Sequence, residues 1–239
     1  MTELLYYEDR YLREFDATVE EVVGGGVVLD RTAFYPRGGG QPSDQGKLIS
    51  VDGEWNVLKV KRSEGRIVHK LDADPPAAGT ELIGALDWER RYALMRTHTA
   101  MHILCGVVWR DYGAAVTGGN MEPLQGRMDF EFEQLKAELV GEIEERINAE
   151  VAAARSVLVG VLPRQEAFEI PDLIRTKINL LPPEIQEVRI VEIEGLDLQA
   201  DGGTHVENTS QVGPLRIVDY KSKGRINKRL VVALEPRVG

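Results

Sequence analysis

Leu94-Met95-Arg96-Thr97-His98-Thr99-Ala100-Met101-His102-Ile103-Leu104-Cys105 is the stretch at which this chain changes its period. Leu94, His98, His102 and Cys105 fall at 4-4-3 spacing, which a helix brings onto one face. A helix is therefore expected over residues 87–109. Upstream the pattern is different. The runs Val27-Val28-Leu29, Lys47-Leu48-Ile49-Ser50-Val51, Trp55-Asn56-Val57-Leu58-Lys59-Val60 and Arg66-Ile67-Val68-His69 are short and rich in β-branched residues. They are separated by Gly24-Gly25-Gly26, Gly38-Gly39-Gly40, Asp52-Gly53 and Glu64-Gly65, which are turn signals. Several short strands at near-regular spacing predict a small β-barrel or sandwich. The loop Asp74-Pro75-Pro76-Ala77-Ala78-Gly79 follows, and the domain boundary is placed near Leu86.

Downstream, Leu135, Leu139, Ile143, Ile147 and Val151 recur every four residues and predict a second helix. Residues 157–162, 188–193, 215–218 and 230–234 read as strands. The expected architecture is thus α+β: a small β-barrel over residues 1–86, then an α+β domain over residues 87–239 with its helices packed on an antiparallel sheet.

The 239 residues are 43% hydrophobic, ample for a core, and 29 basic against 39 acidic residues give a net charge of −10. Such a balance argues against indiscriminate binding to DNA or RNA, since Lys and Arg supply most non-specific affinity for phosphate. Residues 216–229 depart from it, with Arg216, Lys221, Lys223, Arg225, Lys228 and Arg229 against Asp219. They form a candidate phosphate track, or else a solvated surface run. Residues 59–70 are a weaker second candidate. Apolar runs fall far short of the ~20 residues of a membrane span. With Cys105 alone, no intramolecular disulfide can form, so a cytoplasmic protein without a membrane partner is expected.

Two elements carry chemistry. His98-Thr99-Ala100-Met101-His102 stacks two imidazoles one turn apart, a common offer of two ligands to zinc, although the same spacing also suits packing or capping. Asp201-Gly202-Gly203-Thr204-His205 joins a carboxylate and an imidazole through a glycine-rich turn that lets both converge, or simply forms a capped loop. Together they would complete an N/O donor set that zinc accepts. Cys105 lies a further turn along and is read as a core residue. Gly38-Gly39-Gly40-Gln41 offers backbone N–H groups that a phosphate or ribose could approach, or a plain turn, and it is no P-loop.

Taken in order, Thr32, Phe34-Tyr35-Pro36, Gly38-Gly39-Gly40-Gln41, His98-Thr99-Ala100-Met101-His102, Arg127-Met128-Asp129-Phe130, Leu180-Leu181-Pro182 and Asp201-Gly202-Gly203-Thr204-His205-Val206-Glu207-Asn208-Thr209 resemble the editing domain of alanyl-tRNA synthetase. The chain is similar to the free-standing AlaX trans-editing proteins of medium length. The resemblance implies hydrolysis of the ester between a wrong amino acid, serine and in some members glycine, and the 3′ adenosine of alanine tRNA. It implies one zinc ion on His98, His102, Asp201 and His205, with Thr32, His98 and His102 serving catalysis and Thr32 facing the amino-acid pocket. It further implies that Gly38, Gly39, Gly40 and Gln41 line a groove for the terminal adenosine, while Arg216, Lys221, Lys223 and Arg225 contact the tRNA. Mischarged alanine tRNA is the expected partner, and the chain is expected to be a monomer or weak homodimer. Asp201 departs from the family pattern, which has cysteine there. A carboxylate keeps one negative ligand at similar reach, yet the departure also motivates an alternative, a tRNA-binding module whose metal site has decayed.

Overall fold

The computed structural model describes residues 2–133, 135–171, 173 and 185–236. The chain divides into two compact units, Met1–Ala93 and Leu94–Gly239. Leu180-Leu181-Pro182 lies outside the described residues.

In the first unit a short parallel pair, β1 (Glu3–Leu4) and β4 (Arg31–Thr32), accompanies a one-turn helix α1 (Leu5–Glu8). The remaining strands are β2 (Glu14–Val23), β3 (Gly26–Leu29), β5 (Gly46–Ser50), β6 (Gly53–Ser63), β7 (Arg66–Leu71) and β8 (Glu81–Leu86). They close into an antiparallel barrel in the order β2-β3-β7-β6-β5-β8. Closure removes sheet edges and gives each strand an inner face. Phe15, Ala17, Val19, Val27, Leu29, Leu48, Val57, Val60, Ile67, Leu71, Leu82 and Leu86 fill the interior. β2 and β8 are absent from the strands expected above. In β2 the inward Phe15, Ala17 and Val19 alternate with outward Glu14 and Asp16, so period 2 is present but acidic residues and alanine dilute the β propensity.

A long helix, α2 (Trp88–Tyr112), follows. Its start is capped by Asp87, whose Oδ1 accepts a hydrogen bond from the Arg90 N–H at 3.1 Å. The expected single buried face is too narrow a description, because residues 94–108 are buried all round. The polar ones are satisfied inside: Arg96 donates twice to the Val212 carbonyl, and Thr97 Oγ1 accepts the Leu124 N–H.

The second unit continues with β9 (Val116–Glu122), β10 (Gln125–Glu131), α3 (Ala137–Ala152), β11 (Val157–Pro163), α4 (Arg164–Glu169), β12 (Glu187–Ile193), β13 (Asp197–Ala200), β14 (Leu215–Ser222) and β15 (Asn227–Leu234). The strands form two antiparallel sheets, β14-β15-β10-β9 and β11-β12-β13, where one was expected. The hairpin β9–β10 was not anticipated; Val116-Thr117-Gly118-Gly119-Asn120 lacks a β-branched run, and its partners across β10 and β15 decide it. α3 buries Val140, Ile143, Ile147 and Val151 and packs on β14. No helix among the described residues is long and apolar enough to cross a membrane.

Candidate metal centre

His98 and His102, one turn apart on α2, meet the loop after β13, which carries Asp201 and His205. One ligand atom from each of the four residues lies within 4.8 Å of the others. The His98 and His205 rings stack with centroids 4.3 Å apart, and the His102 ring stands edge-on to both. The loop is folded by its own polar groups: the Gly203 N–H donates to Asp201 Oδ2 at 2.7 Å, an Asx turn that points the carboxylate back toward His205. Arg189 on β12 clamps the ligand's main chain, since Asp201 N–H donates to the Arg189 carbonyl and Arg189 Nη1 donates to the Asp201 carbonyl.

The outward ring nitrogens of His102 and His205 are engaged, and their partners settle those two tautomers. Asp197 Oδ2 is a carboxylate oxygen and accepts, so His102 Nδ1–H donates to it at 2.9 Å and the Nε2 lone pair remains. Thr99 donates its hydroxyl proton to the Met95 carbonyl, so its oxygen accepts from the Val206 N–H and, at 3.4 Å, from His205 Nδ1–H. His205 Nε2 then faces Asp201 Oδ2 at 2.8 Å, and His98 Nε2 lies 3.5 Å from Asp201 Oδ1. Two acceptors at such a distance need a shared cation, a proton or a metal ion.

Electrostatics agree with the second choice. Burial pushes the His98 ring down to about 4 and the His205 ring well below its ordinary range. Burial alone would raise Asp201, but the His98 ring, followed by the hydrogen-bonding His205 ring, outweighs it and holds the carboxyl well below the usual carboxylate range. Neutral imidazoles with one ionised carboxylate are the protonation state that metal binding requires. The donor set therefore fits a divalent ion with N/O preference. His205 is fully buried, whereas His98, His102 and Asp201 retain slight exposure, so the cluster opens on their side.

Comparison with known proteins places this centre in context. Residues 188–231 match the family described as threonyl and alanyl tRNA synthetase second additional domain, and residues 5–90 match tRNA synthetases class II (A). The alanyl-tRNA editing protein AlaX-M of Saccharolobus solfataricus is 42% identical over 99% of this chain and 100% of its own length. The AlaX-M protein of Methanosarcina barkeri is 42% identical over 98% of this chain and 99% of its own. The chain belongs to the AlaX family of alanyl-tRNA editing proteins. It is also 39% identical, over 90% of its residues, to the alanine–tRNA ligase of Pyrobaculum neutrophilum, of which the match spans 25%.

Other residues singled out in this AlaX-family chain fall as follows. Cys105 is buried outside the donor set, and its Sγ receives a hydrogen bond from Gln199 Nε2 at 3.3 Å. Thr32 is fully buried in the barrel unit; it donates its hydroxyl proton to His69 Nε2 at 2.8 Å and accepts the Phe34 N–H. Gly38 and Gln41 exchange both backbone hydrogen bonds around Gly39 and Gly40, whose φ of 56° and 84° only glycine adopts freely. The N–H groups of Gly38 and Gln41, read as open to a phosphate, are thus used within the turn, and Gln41 is fully buried. Of the basic run on β14 and β15, Arg216 pairs with Glu144, Lys221 with Asp219 and Arg229 with Asp129. Lys228 is buried, with Nζ donating to Ser222, Gly224 and Arg225. Lys223 and Arg225 are exposed at the hairpin tip and form no ion pair among the described residues. In residues 59–70, Arg66 pairs with Glu21 and Glu64, and Lys70 caps the Gly24 carbonyl. Asp197, Thr99 and Arg189 were missed in the sequence, where only the distance in chain between α2 and β13 stood against recognising them.

Proposed function

We propose that this chain hydrolyses, in trans and in the cytoplasm, the ester that joins a wrongly attached amino acid, serine above all, to the 3′ adenosine of alanine tRNA. The observation that carries the reading is the buried, four-donor cluster within a chain that aligns end to end with AlaX-M proteins. We assign zinc to His98, His102, Asp201 and His205; when bound, it supplies a Lewis acid beside the ester. Asp201 with the His98, His102 and His205 rings would hold that ion and leave the slightly exposed His98, His102 and Asp201 side toward the charged 3′ end. Burial of the four side chains strengthens the electrostatic contacts among them. Thr99 and Asp197 keep the His205 and His102 rings in the tautomers that direct Nε2 inward. An ionised Asp201 beside the neutral His98 and His205 rings supports a competent donor set over a decayed site.

The polyanionic partner needs a basic face on an acidic chain. Lys223 and Arg225, with Lys221 and Arg216 behind them on β14, supply it in this reading. Exposed Gly39 and Gly40 present a turn that a nucleotide can approach without a side chain between. Thr32 is proposed for serine recognition, although its hydroxyl already engages His69 Nε2 and the Phe34 N–H in the barrel.

Deacylation of Ser-, Gly- and Ala-charged alanine tRNA, assayed side by side with and without a chelator, tests the proposal. Ser-tRNA is expected to be hydrolysed, Ala-tRNA spared, and activity lost on zinc removal and in the His98→Ala/His102→Ala variant. Undiminished hydrolysis in that variant would sink it.

A further inference from the structure

We propose that Asp197 is a positioning carboxylate of the metal centre, acting through His102, and that Gln199 and Cys105 hold it in place. The inference rests on the metal reading above and extends it beyond the ligands. Asp197 opens β13 and is 3% exposed, although nothing about a strand end requires a buried acid there. Its Oδ2 accepts from two donors, His102 Nδ1 at 2.9 Å and Gln199 Nε2 at 2.8 Å. The same Gln199 nitrogen reaches Cys105 Sγ at 3.3 Å. A continuous polar chain therefore runs Cys105, Gln199, Asp197, His102, with its two ends on α2 and its middle on β13. Asp197 and Gln199 are two apart on a strand and so share a face, while His102 and Cys105 are three apart on a helix and do likewise.

Close packing of these two elements is a condition of that chain, and Gly106 provides it. A Cβ at Gly106 would stand 2.9 Å from Leu196 Cγ, closer than packed atoms allow, and 3.1 Å from Asp197 Cβ, a contact tight enough that the strand would have to yield. Gly106 is one turn beyond His102, so the missing side chain is what lets Asp197 lie against the ring. A carboxylate on Nδ1–H fixes the tautomer, orients Nε2 and raises its basicity toward a metal. In this chain the effect has added weight, because the carboxylate of Asp201 donates less electron density to a metal than a thiolate would.

Zinc affinity of the full-length protein, measured by chelator competition without tRNA, tests the assignment. Asp197→Asn preserves volume and removes the charge; it is expected to weaken zinc binding about tenfold to hundredfold, with the metal-free thermal midpoint within a few degrees of wild type. Gly106→Ala, which leaves all four ligands in place, is expected to weaken binding in the same direction. A purely structural Asp197 would lower the metal-free midpoint and leave zinc affinity unchanged, so an Asp197→Asn affinity within twofold of wild type overturns the proposal. Should the variants not fold, nitrogen NMR of the wild-type imidazoles decides: His102 carrying its proton on Nδ1 in the metal-free protein, with Nε2 shifting on zinc addition, supports it, and a proton on Nε2 overturns it. Failure of the editing reading is seen separately, as a protein that binds zinc through these residues and hydrolyses no charged tRNA.

Discussion

His69 is the one histidine outside the four-residue donor cluster, and its surroundings are of the opposite kind. Its Nδ1–H donates to the Val27 carbonyl at 3.2 Å and its Nε2 accepts the Thr32 hydroxyl, so the ring is neutral and spent on structure. Thr32→Val keeps the shape but leaves that nitrogen buried without a donor, at an expected cost of about 1–3 kcal/mol in urea unfolding. If Thr32 also recognises serine, the same variant lowers discrimination between Ser- and Ala-charged tRNA; unchanged discrimination confines Thr32 to the barrel. Burial pushes the His69 pKa from 6.5 down to about 4. The unfolded chain therefore binds a proton that the folded barrel refuses, and stability falls as pH drops from about 6.5 to about 4. Below that range the loss levels off at roughly 3 kcal/mol, at ~1.4 kcal/mol per unit. Urea titrations at pH 7.5 and 4.5 check this, the pH effect being smaller by that amount in a His69→Gln variant. At this scale the grouping of His98, His102, Asp201 and His205 was legible as a candidate donor set, because each pair sits within one local element; Asp197 was not, since nothing in Leu196-Asp197-Leu198-Gln199 marks the acid as facing a helix ninety-odd residues upstream.

The hairpin of β14 and β15 shows how an element sorts residues that composition treats alike. Six basic side chains crowd residues 216–229, yet the fold commits several of them: Arg229 forms a bidentate pair with Asp129, and Lys228 ties the tip by donating to Ser222, Gly224 and Arg225. The Asp129 carboxyl is held below its usual range mainly by that Arg229 contact. Lys223→Ala and Arg225→Ala are each expected to weaken tRNA binding and to reduce the slope of log affinity against log salt by about 0.7–0.9. Lys228→Ala is expected to act instead on stability, lowering the unfolding midpoint with little change in salt slope for the folded protein. Filter binding across a salt series separates them, and equal slopes for all three variants would count against the tip as the contact. Elements were legible wherever one period ran clean, as in α2, α3 and β12. They were hidden where pairing across the sheet outweighs propensity, as in β2, β8, β9 and β10.

For the molecule as a whole, a net charge of −10 conceals a local excess of cations at one hairpin tip, and the two compact units divide the proposed work unevenly. All four candidate donors belong to the unit Leu94–Gly239, so an ion bound there would stabilise that unit. At about one hundred times its Kd such an ion would add about 2.7 kcal/mol. Calorimetry is expected to show an unfolding transition that moves down on chelation, and no such movement in the His98→Ala/His102→Ala variant. What the sequence by itself determined was the order of a β-barrel and an α+β unit, the family, and the two short motifs whose polar residues the fold brings together, because helical period, glycine turns and short motifs act over a few residues. Which nitrogens point inward, which cations remain exposed, and that Asp197 stands behind His102 were decided only by the tertiary structure. Those outcomes depend on contacts between segments far apart in the chain, and the closeness of α2 and β13 at Gly106 is settled by packing rather than by any local pattern.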